Sequence, residues 1–386
     1  MSSAVVAALL VTCLAVPRPA AGAVPAVPPA AAPAPGPRAP APPAAAPDHY
    51  AWGRVLAVLA DEERELAGVR QVVQLLRVRV QSGPERGRVV EVSHAAPAGV
   101  GVPRLQAGEA VVVVRTQDAT GLAYFVVDRF RLPPLLAVFG LFLALAALFA
   151  RTRGVTAVVG LGVTLLVLAG FIVPQILAGR PPLLVSLAGA LLIACTSIYL
   201  AHGVSRRTTV ALAGTLVTLA LAGGLAVVAV SLTRLFGLGS EEALYLQAPL
   251  EGLNLRGLLL GGIILGALGV LDDVTTSQAA AVAELARAAP NLSGSELVAR
   301  GLAVGREHIT ALVNTLVLAY AGASFPLFLL FSVNREQPLW VILNGEFVAE
   351  EAVRTLVGSI ALVVAVPITT VLAARWLRGG DAAGHA

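Results

Sequence analysis

Between Pro133 and Ala374 the chain carries seven apolar stretches near the length of a membrane span, at residues 134–150, 155–177, 183–201, 209–232, 255–271, 309–331 and 355–374. A helix of about 20 residues crosses the ~30 Å hydrocarbon layer. Within that layer only helices and closed barrels satisfy their own backbone, so few folds are open to such a chain. The composition agrees, with 57% hydrophobic and 13% charged residues and a mean hydropathy of +0.83, too apolar for a soluble protein. The fold expected is an α-helical multi-pass membrane protein of seven core transmembrane helices, or eight if an apolar N-terminal segment is retained.

That segment, residues 4–16, is too short for a comfortable span and precedes Ala21-Gly22-Ala23, which fits a cleavage site. Residues 1–23 are expected to be a signal peptide or signal anchor. Residues 24–47 are almost wholly Ala and Pro, a stiff, disordered linker. From 48 to 131 the pattern changes to short β-type runs at 71–80, 88–92, 110–115 and 122–127, separated by turn-forming stretches. This predicts a small all-β module outside the cytoplasm. His94 within it is expected to be a solvated loop histidine, since zinc needs three or four convergent ligands. The membrane domain runs from 132 to 378, and 379–386 form a cytoplasmic tail.

All basic side chains among the 27 Lys+Arg are arginine, and they lie between apolar stretches. Such a pattern excludes a nucleic-acid stripe, and the absence of lysine excludes a Walker A loop. The two cysteines, Cys13 and Cys195, sit in separate apolar segments and support no redox chemistry. Alternate loops hold unequal numbers of arginines: Arg151, Arg153, Arg206, Arg207, Arg287, Arg300, Arg306, Arg375 and Arg378 against Arg180, Arg234, Arg256, Arg335 and Arg354. By the positive-inside rule the β module is outside and the C-terminus cytoplasmic.

The chemistry concentrates at GLLLGGIILGALGVLDDVTTSQAAAVAEL, residues 257–285. Here an apolar, glycine-rich helix meets two adjacent carboxylates where it leaves the lipid. Asp272 and Asp273 with Thr275, Thr276, Ser277 and Gln278 are a dense set of oxygen donors for a hard cation or a proton. The plainer alternative is that the aspartates cap a second helix and stabilise its N-terminus. Arg306, Glu307, His308 and Asn314 open the stretch at 309–331. Arg306 either pairs with Asp272 or Asp273 or simply follows the charge rule, with His308 at headgroup level. Asn314 lies inside the lipid and requires a partner, a helix backbone or a solute.

Packing and hinge signals accompany this site. Gly257 to Gly261 and Gly262 to Gly266 are small-xxx-small patterns that admit close helix approach. Pro326 and Pro367 interrupt spans and free the carbonyls of Gly322 and Val363, as hinges or static kinks. Residues 337–354 are expected to lie on the membrane surface, anchored by Trp340. Residues 205–222 align without gaps on 305–322, sharing Arg206/Arg306, Ala211/Ala311, Thr215/Thr315 and their neighbours. A parallel repeat is one explanation and two similar helix entries the other.

The runs GALGVLDDVTTSQAAAVAEL, GREHITALVNTLVLAYAGASFP and NGEFVAEEAVRTLVGSIALVVAVPITT, with SRRTT at 205–209, resemble the YibE/F family of bacterial multi-pass membrane proteins. The resemblance covers roughly residues 50–374 and implies a transport or efflux role; it carries over no catalytic or substrate-binding residue. The function expected is a transporter or permease component for a small solute or ion. A non-transporting envelope scaffold acting through its exported β module is the alternative. An enzyme is the weakest reading, with neither His-Glu-x-x-His nor Gly-x-Ser-x-Gly in the chain. No cofactor or metal is implied; the partners expected are the lipid bilayer and a second copy or an accessory subunit.

Overall fold

A computed structural model describes residues 49–66, 69–97, 104–118, 121–247, 252–326, 329 and 337–378. The expected signal segment, linker and tail lie outside the described residues. The chain divides into two compact units, one reaching Pro133 and the other starting at Pro134.

The first unit is a closed five-stranded barrel of β1 (His49–Leu66), β2 (Val69–Val80), β3 (Val89–Pro97), β4 (Ala110–Asp118) and β5 (Gly121–Arg129), in the order β1-β2-β3-β5-β4. The long β1 pairs antiparallel with both β2 and β4, and a parallel bridge from Ser93 to Phe125 closes the barrel. Val55, Leu76, Val78, Val92, Val111 and Val113 point inward and form its core with Leu105. Gln74 is buried beside them; its amide nitrogen donates to the Leu105 carbonyl at 3.3 Å while its oxygen accepts from the Leu105 N–H at 2.9 Å.

Strand β1 is not evident from the sequence. Its second half is rich in Ala, Leu, Glu and Arg, which favour helix, and irregularities between Val55 and Ala57 and between Val58 and Ala60 break the alternation that marks a strand. Nor is His94 the solvated loop residue expected: it sits on β3 opposite Gln74, partly buried, with Nδ1 lacking a hydrogen-bond partner. Burial, and then the charge of Arg129, push its imidazole below the ordinary histidine pKa. Glu85 lies in the turn between β2 and β3 and accepts from Arg115 and from the Tyr124 hydroxyl, each at 3.1 Å. Burial alone would raise its carboxyl, but bonds from Tyr124 and Arg115 outweigh that effect and hold it below the ordinary glutamate value.

The second unit is helical. Its elements are α1 (Leu132–Val167), a π turn (Leu168–Ile172), α2 (Val173–Leu177), α3 (Pro182–His202), α4 (Arg206–Leu232), α5 (Glu241–Gln247), α6 (Leu255–Ala288), α7 (Gly294–Ala323), α8 (Leu339–Leu343) and α9 (Glu346–Arg378). Six segments are long and apolar enough to cross a membrane: Leu132–Ala150, Gly154–Leu177, Pro182–His202, Arg206–Leu232, Leu255–Ala288 and Glu346–Leu377. Two of them lie within the continuous run of α1, the π turn and α2. A side chain at Gly154 would strike the Ala146 carbonyl, although residues eight apart on a straight helix are separated by about 12 Å. The run therefore bends sharply near residue 150.

Helices α4, α6 and α9 pack on one another, with α3 against α6 and α7 against α9 and α6. Small residues set the spacing. A Cβ on Gly214 of α4 would meet Thr369 of α9, one on Gly261 of α6 would meet Ser186 of α3, and one on Gly305 of α7 would meet Val366 of α9. Of the expected small-xxx-small pairs, Gly261 makes such an approach while Gly262 faces open space. The sequence Gly301-Leu-Ala-Val-Gly305 has the same signature and the same use.

The expected span at 309–331 is helical through Ala323 on α7, but this helix is not among the six, and part of the stretch lies outside the described residues. Polar residues at Arg306, Glu307, His308 and Asn314 lower the hydropathy of its described part. Residues 337–354 are not one surface segment, because α8 is a single short turn and Glu346 already belongs to α9. Nor are the two aligned segments equivalent. Ser205 caps the start of α4, whereas Gly305 lies inside α7; Thr215 is fully buried and Thr315 exposed.

Candidate functional site

The two aspartates lie within a single 34-residue helix, α6, so they cap no second helix. Asp272 is 17 residues beyond the start of α6, about 26 Å along its axis. Neighbouring helical positions point about 100° apart, and the aspartates accordingly face different surroundings. Asp273 is exposed and lines a cavity of about 250 Å³ with His202, Arg207, Thr208, Thr276 and Ser277. Asp272 turns inward to a second cavity, of about 150 Å³, with Thr164, Leu168, Ile193, Ser197, Leu265, Leu268 and Gly269.

Within that second cavity the Ser197 hydroxyl donates to Asp272 Oδ2 at 3.3 Å. Asp272 Oδ1 is buried and has no hydrogen-bond partner. A carboxylate oxygen so placed forfeits solvation that the protein does not replace. The wall of the cavity also includes the π turn, since Leu168 begins it; such turns recur at functional sites.

The remaining oxygens of the motif point elsewhere. Thr276 bonds back to the Asp272 carbonyl at 2.8 Å and Ser277 to the Val274 carbonyl at 3.1 Å. Thr275 is fully buried, its hydroxyl 2.6 Å from that of Thr215 on α4. Gln278 donates to the Gly301 carbonyl of α7 at 2.9 Å and to Thr370 of α9 at 2.8 Å. These two side chains join helices. Together with Thr218 and Thr369 they form a buried polar seam through α4, α6 and α9, in which the Thr369 hydroxyl alone among these groups has no partner. The motif is therefore not one ligand cluster, and no group of three or more His, Cys, Asp or Glu side chains capable of holding a metal exists among the described residues.

The family model described as YibE/F-like protein matches residues 138–379, well over half of the chain. The chain belongs to the YibE/F-like family. No curated protein and no solved structure matches it.

Within the YibE/F-like domain the other expected site residues are dispersed. Arg306 is exposed and forms no ion pair with Asp272 or Asp273 among the described residues. His308 Nε2 approaches Ser277 Oγ at 3.5 Å, the outer limit of a hydrogen bond. Asn314 is exposed on α7 and not buried between helices of this chain. Pro367 lies inside α9, one residue after Val366, whose carbonyl accepts from Thr370 at 2.7 Å. Pro326 lies beyond the Ser324 cap of α7, at the edge of the described residues.

Sequence reasoning missed Ser197, His202, Thr164 and the partners of the polar seam. Their one signal is a hydroxyl or imidazole inside or bordering an apolar stretch, as in Cys195-Thr-Ser197 and Pro367-Ile-Thr-Thr370.

At the other end of the bundle the YibE/F-like domain holds a different pair of carboxylates. Glu346 Oε1 accepts backbone N–H bonds from Phe236, Gly237 and Leu238 at 2.7, 3.1 and 3.3 Å. Glu350, nearly buried, accepts from Gly239 at 3.0 Å. Glycine is required twice in this loop. Gly237 has φ +86°, and a Cβ at Gly239 would strike the Glu350 carboxylate.

Proposed function

We propose that this YibE/F-like protein is a transport component that moves a small solute or ion across the membrane, with Asp272 as the residue on which movement depends. The observation that carries the reading is the buried, unpartnered Oδ1 of Asp272 at the wall of a half-open pocket. An ionisable side chain within a membrane helix is costly and usually functional, and a scaffold has no use for one whose hydrogen bonding is half complete. The arginine distribution supports a cytoplasmic location for the α3–α4 end and, with it, for the Asp273 cavity. Energy comes from an ion gradient or a separate subunit, because the chain has no lysine for a Walker A loop.

The test is flux in proteoliposomes, using a panel of metal ions and small organic cations and anions and comparing the unmodified protein with Asp272→Asn at equal insertion. The expected result is flux in the unmodified protein and at least a tenfold loss in the variant. Equal flux in both removes Asp272 from the reading. Absence of flux for every probe, with the variant still complementing a deletion in cells, returns the β barrel and the scaffold reading to first place.

A further inference from the structure

We infer that Asp272 binds a proton, exchanged with the water of the neighbouring Asp273 cavity, and that the coupling ion of the transport reading is H⁺. The inference rests on that reading but stands on its own geometry. The half-open Asp272 pocket offers three side chains with oxygen, Thr164, Ser197 and Asp272, among walls that are otherwise aliphatic or glycine. The Thr164 hydroxyl is engaged, donating to the Gly160 carbonyl at 3.1 Å. Magnesium demands about six oxygen ligands and calcium about six to eight, several more than the site provides. A charge confined by apolar walls must be paired or removed, and a proton removes it with no further ligand. Asp272 Oδ2 is already engaged by Ser197 while Oδ1 is free to carry a hydrogen.

The inferred route runs from one aspartate to the next, between two pockets that share no lining residue. Asp273 is the adjacent residue and opens to the larger cavity, where His202 of α3 and Arg207 of α4 also stand. Among the described residues, the charged and titratable groups nearest this cavity are these three and His308 of α7, whose Nε2 is 3.5 Å from Ser277 Oγ, with Arg206 beside Arg207 and Arg306 and Glu307 beside His308 exposed around them. Thr164 and Leu168, from the α1 and π-turn segment, bring no charge. The step itself forms one O–H bond on Asp272 from a proton delivered by cavity water and breaks it on release; nothing is oxidised or reduced.

Infrared difference spectroscopy of the full-length protein in lipid, across a bulk pH step, reads this directly through the carbonyl stretch of a protonated carboxylic acid. The unmodified protein and Asp273→Asn are expected to show a band that titrates reversibly, Asp272→Asn to lack it, and Ser197→Ala to keep it at a shifted frequency. A spectrum unchanged by Asp272→Asn overturns the inference. So does suppression of the band by sodium or magnesium at fixed pH, which would identify a metal cation as the ligand. The measurement needs no transported solute. If flux fails while the band behaves as expected, the transport reading fails and the proton site stands. If flux is present and the band is absent, transport stands and the proton site fails.

Discussion

The barrel and the helical unit solve opposite solvent problems with the same residue types. In the barrel, valines and leucines point inward and charges point outward, where pairs such as Arg64–Glu62, Arg77–Glu91 and Arg104–Glu63 lie on the surface. In the helical unit large apolar side chains are displayed outward, Phe149 at 80% and Leu166 at 70% exposure. Its interior is threaded by Thr215, Thr218, Thr275, Gln278, Thr369 and Thr370. Water drives apolar burial in the first case. In the second, the outer faces are themselves apolar, as suits lipid, and close packing through glycine and interhelical hydrogen bonds joins the helices.

Leu76→Ala tests the first half of this contrast most severely. It empties a fully buried barrel position and is expected to cost about 2–5 kcal/mol. Hydrogen exchange on the full chain should show faster exchange in β1 to β5. Gly305→Leu tests the second half, because its side chain would meet Val366 and Gln278; overpacking of this kind costs about 1–3 kcal/mol. Thermal unfolding in detergent should show the loss, whereas Gly262→Leu, with open space beside it, should leave the midpoint nearly unchanged. Were both glycines equally tolerant, close approach would not be what organises the bundle.

Smaller effects sharpen the comparison. Gln278→Met removes the bonds to Gly301 and Thr370 and is expected to cost about 0.6–2 kcal/mol, the usual worth of a polar contact between membrane helices. In the barrel the pKa values of His94 and Glu85 are both depressed by folding. The unfolded chain then binds protons more readily, so barrel stability falls as pH falls. The His94 effect begins in the ordinary histidine range. The Glu85 contribution is complete above the ordinary glutamate value and is lost as pH drops through the folded one. Comparing unfolding midpoints between about pH 7 and pH 5, His94→Gln should lose less than the unmodified protein. Arg64→Ala, which removes an exposed pair, should cost less than about 1 kcal/mol.

Six of the seven expected apolar helices were legible because length and hydropathy are local properties. Strand β1 was not, since its fitness for the barrel depends on irregularities and on two partner strands rather than on its own alternation. The site was legible by half. Asp272 and Asp273 stood out, but that one faces Ser197, 75 positions away, is a consequence of how α3 packs on α6. Gln278 and Thr275 looked like ligands for the same reason that they serve as helix contacts: a polar group among apolar neighbours must bond to something, and sequence does not say to what.

The loop at 236–239 leaves a last consequence. Four successive amides grip two carboxylates of α9, tying the outgoing end of α4 to the incoming end of α9. The Asp273 cavity, with Arg207 and Thr208, lies at the opposite end of α4, which is 27 residues and thus about 40 Å long. At that end the two helices are held a second time, by side chains, where Val210 and Ala211 of α4 cluster with Ala373 and Ala374 of α9. Helices α4 and α9 are thus one beam fastened at both ends, and the cavity opens between that beam and the helices α3 and α6 that supply its other walls.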